Sequence, residues 1–380
     1  MSSPDFSLSV NDAFRADNAV IGTMSLTDST IDFTDPLNNV LVGTGNGESL
    51  DSGSNNNVVM GVDCLQNSTR GKRNIIMGLR CLQNALAVGD DDDINDNIVI
   101  GNQALQNARD SIESIAIGDA SQQNFISVLD PTTARARNTS IGWSSLRANV
   151  IGNNNVAIGG GTLTSMSGST SDASMAHASG HTAVGFNALN NNNDSTRLRT
   201  VGNTAVGYEA ANNVSQGGGN VAMGYNSAVS LTSGNSNVVI GATSGGTLST
   251  GDNNVIVGKD ANTDASDTDE SVAVGRASSV SAQSVAIGET ASATGLQTVA
   301  IGQGADATGE RSISVGYGAI ALDDDCVVIG HGLASNGSNT LVLPDLTATG
   351  TISNLSPNVL QLDLGGTPYY VQLYTTFTPP

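Results

Sequence analysis

Residues 203–228 read NTAVGYEAANNVSQGGGNVAMGYNSA, and this stretch contains the same short pattern twice. The pattern is a polar residue, a β-branched residue, a small or apolar residue, then Ile, Val or Met, and finally Gly. Eighteen copies occur along the 380-residue chain, with the final glycine running from Gly22 to Gly330. Repetition at a short period is typical of proteins built by stacking one structural unit. The sequence therefore predicts a repeat architecture instead of the two or three globular domains that its length suggests.

The spacing between copies predicts the shape of each unit. The motif glycines advance in even steps of 17 from Gly207 to Gly275, then in one step of 13, and then in steps of 14 to Gly330. Each earlier step is at least as long as the step from Gly207 to Gly224, because polar inserts lengthen many of them. A unit of this size has room for two short strands and two turns, too few for a propeller blade. We predict an all-β, parallel β-solenoid of about eighteen coils, which at about 4.8 Å per coil is a rod on the order of 85 Å long.

The repeat divides the chain into three regions. Residues 18–338 are predicted as the solenoid domain. Residues 1–17 are predicted as an N-terminal attachment or capping segment, and residues 339–380 as a C-terminal segment outside the repeat. The aromatic residues near the C-terminus are candidates for closing the rod or docking it to a partner: Tyr369, Tyr370, Tyr374 and Phe377.

Composition excludes several classes of function. With 35 acidic and 14 basic residues the net charge is −21, and no basic stripe with interleaved aromatics is present, so nucleic-acid binding is not expected. No apolar stretch is long enough to cross a membrane, and residues 1–20 lack the basic and apolar regions of a Sec signal. We therefore expect neither membrane insertion nor Sec-dependent export. Three cysteines are too few for a disulfide framework.

The alternation of side chains within the motif strand predicts that both of its faces are buried. The residue directly before Gly and the residue two positions before that one are apolar or β-branched, and they share one face of the strand. We assign this face to the core of the coil, with these residues directly before Gly: Ile117, Ile158, Val206, Met223, Ile240, Val257, Ile287 and Ile301. The middle residue is mostly alanine, and we assign it to the interface of a homotrimer: Ala116, Ala157, Ala183, Ala205, Ala222, Ala273, Ala286 and Ala300. The glycine is assigned to a turn with positive φ: Gly61, Gly78, Gly101, Gly207, Gly224, Gly241, Gly258, Gly288 and Gly302.

Two kinds of unit resemble known proteins. The shorter units near the C-terminal end, SVAIGETASATG from Ser284, TVAIGQGADATG from Thr298 and SISVGYGAIALD from Ser312, resemble the head repeat of trimeric autotransporter adhesins, the YadA-like head. That resemblance implies a left-handed parallel β-roll, three chains about one axis and binding to host or matrix surfaces. The longer units, such as the stretch from Asn203, resemble repeats of phage and large-virus fibre proteins.

The expected function is a structural fibre or spike on the surface of a virus particle that attaches to a host receptor or glycan. Its partners would be two further copies of the chain, the host receptor, and other virion proteins held through a terminal segment. We expect the virion setting because no signal peptide, coiled-coil stalk or membrane barrel is visible in the sequence. One alternative is the passenger region of a bacterial trimeric adhesin on the cell surface. A second is a β-helical spike that degrades glycans.

Several residue groups carry a structural and a functional interpretation. The asparagines that begin the motif form either corners or a ligand ladder: Asn57, Asn74, Asn97, Asn155, Asn203, Asn220, Asn237 and Asn254. Cys64 and Cys81 are core residues or a disulfide between adjacent coils, whereas Cys326 has no partner in register. The aromatics that follow the motif glycine either cap the lumen or offer a surface for stacking sugars: Trp143, Phe186, Tyr208, Tyr225 and Tyr317.

Charged groups and histidines give little support for catalysis. The acidic runs 90–93, 264–270 and 323–325 are interpreted as solvated loops, with Ca²⁺ binding as the alternative, and RGKR from Arg70 as a basic turn in preference to a processing site. His177, His181 and His331 do not have the spacing of metal ligands. We predict no enzymatic activity, no catalytic residues, no metal and no cofactor.

Overall fold

The structure is a computed structural model of the whole chain. It describes residues 38–47, 50, 54–67, 71–84, 94–108, 113–124, 137–148, 152–165, 179–191 and 202–344, together with the backbone of three further strands. The predicted N-terminal segment 1–17, the acidic run 90–93 and His177 lie outside the described residues, as do the side chains of the C-terminal aromatics.

The motif strands form one long parallel sheet. Each strand pairs in register with the equivalent strand of the next coil, so that Ala205, Ala222 and Val239 lie side by side. Within the described part of the chain the sheet has 19 strands. They are Ala19–Ile21, Val40–Thr44, Val58–Val62, Ile75–Leu79, Ile98–Asn102, Ile115–Ile117, Thr139–Ile141, Val156–Ile158, Thr182–Val184, Thr204–Val206, Val221–Met223, Val238–Ile240, Val255–Val257, Val272–Val274, Val285–Ile287, Val299–Ile301, Ile313–Val315, Val327–Ile329 and Leu341–Val342. The predicted β-solenoid is confirmed: every motif copy is a strand of this sheet, and Leu341–Val342 extends the sheet just beyond residue 338.

Shorter strands complete the coils. A second parallel sheet lies opposite the long one in the C-terminal part of the solenoid, where the repeat is shortest, and it consists of Asn262–Thr263, Ser279–Val280, Ser292–Ala293, Asp306–Ala307 and Ile320–Ala321. Gly71–Lys72 pairs with Ile94–Asn95, and Val359–Leu364 forms an antiparallel hairpin with Thr367–Gln372. No helix occurs among the residues that the structure describes.

The inside of each coil is narrow and holds small side chains. In the shortest coils, Ala286 of the long sheet lies across the lumen from the coil's other alanines, Ala291 and Ala293, and all three are fully buried. The longer coils enclose more space and fill it with leucines: Leu146, Leu163, Leu189, Leu231 and Leu248. The volume inside a coil therefore follows the length of its repeat.

This packing reverses the two faces that the alternation pattern predicted. The eight alanines assigned to a trimer interface are at most 1% exposed within a single chain, because they line the lumen: Ala116, Ala157, Ala183, Ala205, Ala222, Ala273, Ala286 and Ala300. The eight residues assigned to the lumen are half-buried or exposed and point outward: Ile117, Ile158, Val206, Met223, Ile240, Val257, Ile287 and Ile301. The assignment was wrong because such a short coil leaves too little internal volume for a row of Ile and Met beside its opposite wall.

The motif glycines place the backbones of successive coils in direct contact. The nine glycines assigned to turns have φ between +133° and +152°, a region that other residues avoid. A Cβ built on Gly241 would lie 2.4 Å from the carbonyl oxygen of Gly258 in the next coil. Both the backbone conformation and the stacking distance therefore require glycine at this position.

The asparagines at the start of the motif form a ladder inside the rod. The Asn237 side chain donates to the Asn220 Oδ1 at 3.1 Å and to the Gly251 carbonyl oxygen at 2.8 Å. Its own Oδ1 accepts from the backbone N–H of Asn254 at 3.0 Å. Because these side chains are buried and fully used, the corner role accounts for them and a ligand role does not. His181 takes one place in this ladder, where its Nδ1 accepts from the Asn203 N–H at 3.2 Å.

Gln122 is the one lumen residue of its row whose polar atoms have no partner in the described structure. It occupies the position that Leu105 and Leu146 hold in the adjacent coils, it is fully buried, and neither Nε2 nor Oε1 makes a hydrogen bond. Burying an amide without partners costs about 1 to 3 kcal/mol. We expect Gln122→Leu to stabilise the protein by about that amount, measured as a higher midpoint of unfolding in denaturant. Gln123→Leu is the control at the half-buried neighbouring position, where the Gln123 Nε2 donates to the Gln106 Oε1 at 3.0 Å, so it should give no gain. An equal gain from both variants would contradict the packing argument.

Candidate functional site

An exposed apolar stripe runs along the outside of the long sheet. We define the apolar stripe as the first and third residues of the motif strands from Val40 to Ile329. The most exposed third residues keep 36% to 41% of their surface accessible in a single chain: Met60, Met77, Ile141, Ile158, Met223, Ile240, Ile287, Ile301 and Ile329. Because parallel pairing keeps the strands in register, these side chains stack into continuous rows.

The stripe is far larger than the apolar patches of ordinary soluble monomers. Such patches rarely exceed a few hundred Å². The stripe repeats at about 4.8 Å over nearly the whole rod. At the N-terminal end it widens, because Val62 and Leu79 add a third exposed apolar position after the glycine. Covering an Ile or Met side chain that is about 40% exposed contributes about 1 kcal/mol. A surface of this extent is a candidate protein interface.

Ion pairs between coils lie on the corner that precedes the stripe. Arg73 contacts Asp96 through two bonds of 2.6 Å, and Arg311 contacts Asp325 at 2.7 and 2.9 Å. The hydrogen bond from Arg73 lowers the pKa of the Asp96 carboxyl. These pairs lie in exposed positions, where each contributes little to stability. Arg73 is the last residue of RGKR, so within this motif Gly71–Lys72 forms a strand and Arg73 serves as a corner residue.

Aromatic side chains form a second row on the opposite corner, directly after the motif glycine. Phe186 stacks on Tyr208 with ring centroids 5.5 Å apart, and Tyr208 stacks on Tyr225 at 5.3 Å. A hydrogen bond with Glu209 and the charge of that carboxylate raise the pKa of Tyr208. Tyr317 stacks on His331 at 5.1 Å near the other end of the solenoid. Phe186, Tyr208, Tyr225 and Tyr317 are all exposed, so these four rings do not cap the lumen.

A cleft opens beside Trp143, the most exposed aromatic residue of the row. Its volume is about 550 Å³, and Trp143, Arg147, Asn187 and Thr164 contribute to its lining. The Arg147 Nε donates to the amide oxygen of Gln123 at 3.3 Å. The positions of the aromatic residues in the sequence predicted this row. No feature of the sequence distinguished the coil that contains Trp143 from the other coils of the row.

The cysteines are free thiols in the lumen. The Cys64 Sγ donates to the Gly78 carbonyl oxygen at 3.2 Å, and the Cys81 Sγ donates to the Gly101 carbonyl oxygen at 3.1 Å. A hydrogen bond with Cys64, together with burial, raises the pKa of the Cys81 thiol. Cys326 is also buried, in the row of the asparagine ladder, where its Sγ donates to the Asp323 carbonyl oxygen at 2.9 Å. In this structure all three act as small packing residues.

Among the residues that the structure describes, no cluster of three or more His, Cys, Asp and Glu side chains is arranged to hold a metal ion. No helix of the described chain has the length and apolar character needed to cross a membrane. In the acidic run 323–325, Asp325 pairs with Arg311, and Asp323 accepts hydrogen bonds from Ser335 and from the Gly337 N–H at 2.7 and 2.9 Å.

The alternation pattern missed the outward direction of the stripe, although the sequence contains a signal for it. In the shortest units the residues of the second strand that face the lumen are also alanines, Ala293, Ala307 and Ala321. Two opposed rows of alanine indicate a thin coil, and a thin coil places the larger Ile, Val and Met outside.

Comparison with known families agrees with this geometry at the C-terminal end of the solenoid. Residues 281–305 and 307–332 match the model of the YadA head domain repeat, one copy each. No curated protein matches the chain significantly.

Proposed function

We propose that three copies of this chain pack around a common axis through the apolar stripe. The observation that carries this proposal is the row of half-exposed Ile, Val and Met side chains that a single chain leaves in water over the length of the sheet. Domains with YadA head repeats typically form homotrimers, and two such repeats lie at residues 281–332. Three identical stripes facing one axis bury each other without leaving an open apolar edge.

The trimer acts as a surface fibre that attaches a particle to its target. YadA head repeats point to a surface-exposed region of the adhesin type. The stiffness of a parallel solenoid and its acidic exterior, with a net charge of −21 per chain, suit a rod that projects into solvent without associating sideways. The particle that we propose is a virion, and the resemblance of the longer units to fibre repeats of phages and large viruses supports this setting.

The second candidate is the head region of a bacterial trimeric adhesin. The two YadA head repeats favour it, because this repeat is named after such a head. Immunogold labelling separates the two settings. With antibody raised against the trimer, we expect gold on virus particles. Label confined to the surface of bacterial cells would contradict the virion setting and support the adhesin.

The role that we propose is binding without catalysis. A glycan-degrading spike would release reducing ends from a polysaccharide, whereas an attachment fibre would not. Incubating the purified trimer with a panel of bacterial and host polysaccharides and measuring reducing ends tests this difference. We expect no release above buffer, and sustained release that heat inactivation removes would overturn the non-catalytic role.

A further inference from the structure

One coil beside Trp143 lacks side chains at two positions of the exposed corner, and the second of these positions lines the cleft. Where the neighbouring coils have Trp143 and Ser144 on one side and Phe186 and Asn187 on the other, this coil has Gly160 and Gly161. A Cβ at Gly160 would lie 3.5 Å from the Phe186 ring and 3.9 Å from the Trp143 ring. Gly160 therefore lies between the two rings, whereas Trp143 and Gly161 line the cleft itself.

The rings present an extended aromatic surface. From Trp143 through Phe186 and Tyr208 to Tyr225 the row covers five coils, about 19 Å at about 4.8 Å per coil. Trp143 is 59% exposed, and its environment is polar at the cleft and aromatic toward Phe186. Exposed ring faces bind the apolar face of ligands that have polar edges. Sugar rings have this combination of an apolar C–H face and hydroxyl edges.

The other wall of the cleft supplies hydrogen-bonding groups. Asn124, Asn187, Asn190 and Thr164 provide amide and hydroxyl groups that both donate and accept, as sugar hydroxyls require. A volume of about 550 Å³ is in the range of small-molecule sites. The hollow has the size and the mixed lining of a binding site for a short oligosaccharide.

Arg147 gives the cleft a positive charge. Within the described chain its guanidinium contacts the uncharged amide of Gln123, and no carboxylate forms a salt bridge with it. By contrast, other arginines on this surface pair with acids, as Arg137 does with Glu113 at 2.6 Å. An arginine without an acidic partner beside a hydrogen-bonding cleft is suited to a carboxylate ligand.

From these features we infer that the cleft lined by Trp143, Arg147 and Gly161 binds a glycan that carries a carboxylate on a pyranose ring, with the ring stacked on Trp143 and the carboxylate on Arg147. The inference rests on the attachment role proposed above and names the class of receptor. The cleft residues lie in the turns that follow the motif strands, beyond the row of Ile158 and its equivalents that we assign to the trimer interface.

The only tryptophan of the chain reports directly on this site. Titrating the full-length protein with 3′-sialyllactose and with trigalacturonic acid should change the fluorescence of Trp143 saturably with at least one of them, and the pair distinguishes a sialic acid from a uronic acid source. The neutral matched sugars, lactose and maltotriose, should bind about tenfold more weakly or not at all. Equal binding of acidic and neutral sugars, or no saturable change at millimolar sugar, would overturn the inference.

Variants measured by calorimetry assign the effect to the cleft. Arg147→Gln should weaken binding of the acidic sugar about tenfold and remove its advantage over the neutral one. Trp143→Ala removes the ring on which the sugar is proposed to stack and should abolish binding. Tyr317→Ala removes an exposed ring at the same register far from the cleft and should leave binding unchanged. Unchanged affinity in a correctly folded Trp143→Ala protein would refute the location.

The outcome is independent of the oligomer. A particle that has the mass of three chains but binds none of the sugars would refute the glycan site and leave the trimeric fibre intact. A single chain that binds sugar would refute the fibre and keep the site.

Discussion

Replacing both Met223 and Ile240 with Asp is expected to convert the proposed trimer into single chains. The two side chains are adjacent in the stripe, and each is more than a third exposed before assembly, so an aspartate there is solvated in the single chain. In the trimer the same carboxylates would be buried against their equivalents around the axis, and burying unpaired like charges costs several kcal/mol for each ion. Sedimentation velocity should show one species near 38.4 kDa in place of one near three times that mass.

Two controls separate assembly from folding. Leu296→Asp introduces the same charge at an exposed leucine outside the stripe. The following coils have Glu310 and Asp324 at the equivalent position, so an acidic residue is tolerated there and the mass should not change. Ala222→Asp introduces it into the lumen and should unfold the local coils, with loss of solubility or of β-sheet circular dichroism. If the Met223 and Ile240 double variant keeps three chains per particle, the stripe is not the interface.

Gly241→Ala is expected to destabilise the rod by about 3 kcal/mol or more. The new methyl group would lie 2.4 Å from the carbonyl oxygen and 2.6 Å from the carbonyl carbon of Gly258, and both are backbone atoms held by the sheet. Relief requires the coils to separate, which breaks hydrogen bonds such as that from the Gly258 N–H to the Ile240 carbonyl oxygen at 2.8 Å. Unfolding in denaturant at one fixed protein concentration measures the effect.

Gly337→Ala is the matched control for backbone conformation. Gly337 has φ in the same region, at +151°, but a Cβ there would meet only the Thr340 Cγ2, at 3.9 Å. It should cost about 1 to 3 kcal/mol, the penalty for an L-residue in this backbone conformation alone. Equal losses from the two variants would mean that the close approach of Gly241 to Gly258 does not contribute, and that only φ matters.

Most of the fold could be predicted from the spacing of the motif. The regular steps between the motif glycines indicated one coil per copy, and each copy is a strand of the long sheet. The period predicts the fold because parallel stacking places the equivalent residues of successive coils side by side, as for Ala205, Ala222 and Val239.

Alternation alone could not decide which face of the motif strand lies inside. Both faces are apolar, and the hydrophobic pattern has the same period in either orientation. The deciding quantity is the space inside one turn of chain, which admits Ala222 and excludes Met223. The cleft could not be predicted from the sequence for a related reason: Gly161 resembles the other turn glycines, and only the structure shows that it lines a cleft with Trp143 and Arg147.

The mass of the unmodified particle tests the central claim most directly. We propose that two further copies cover the outward Ile, Val and Met rows of one chain. Multi-angle light scattering of the purified protein at micromolar concentration should give about three times 38.4 kDa, with a single species. A particle of 38.4 kDa with its apolar stripe in water would contradict it.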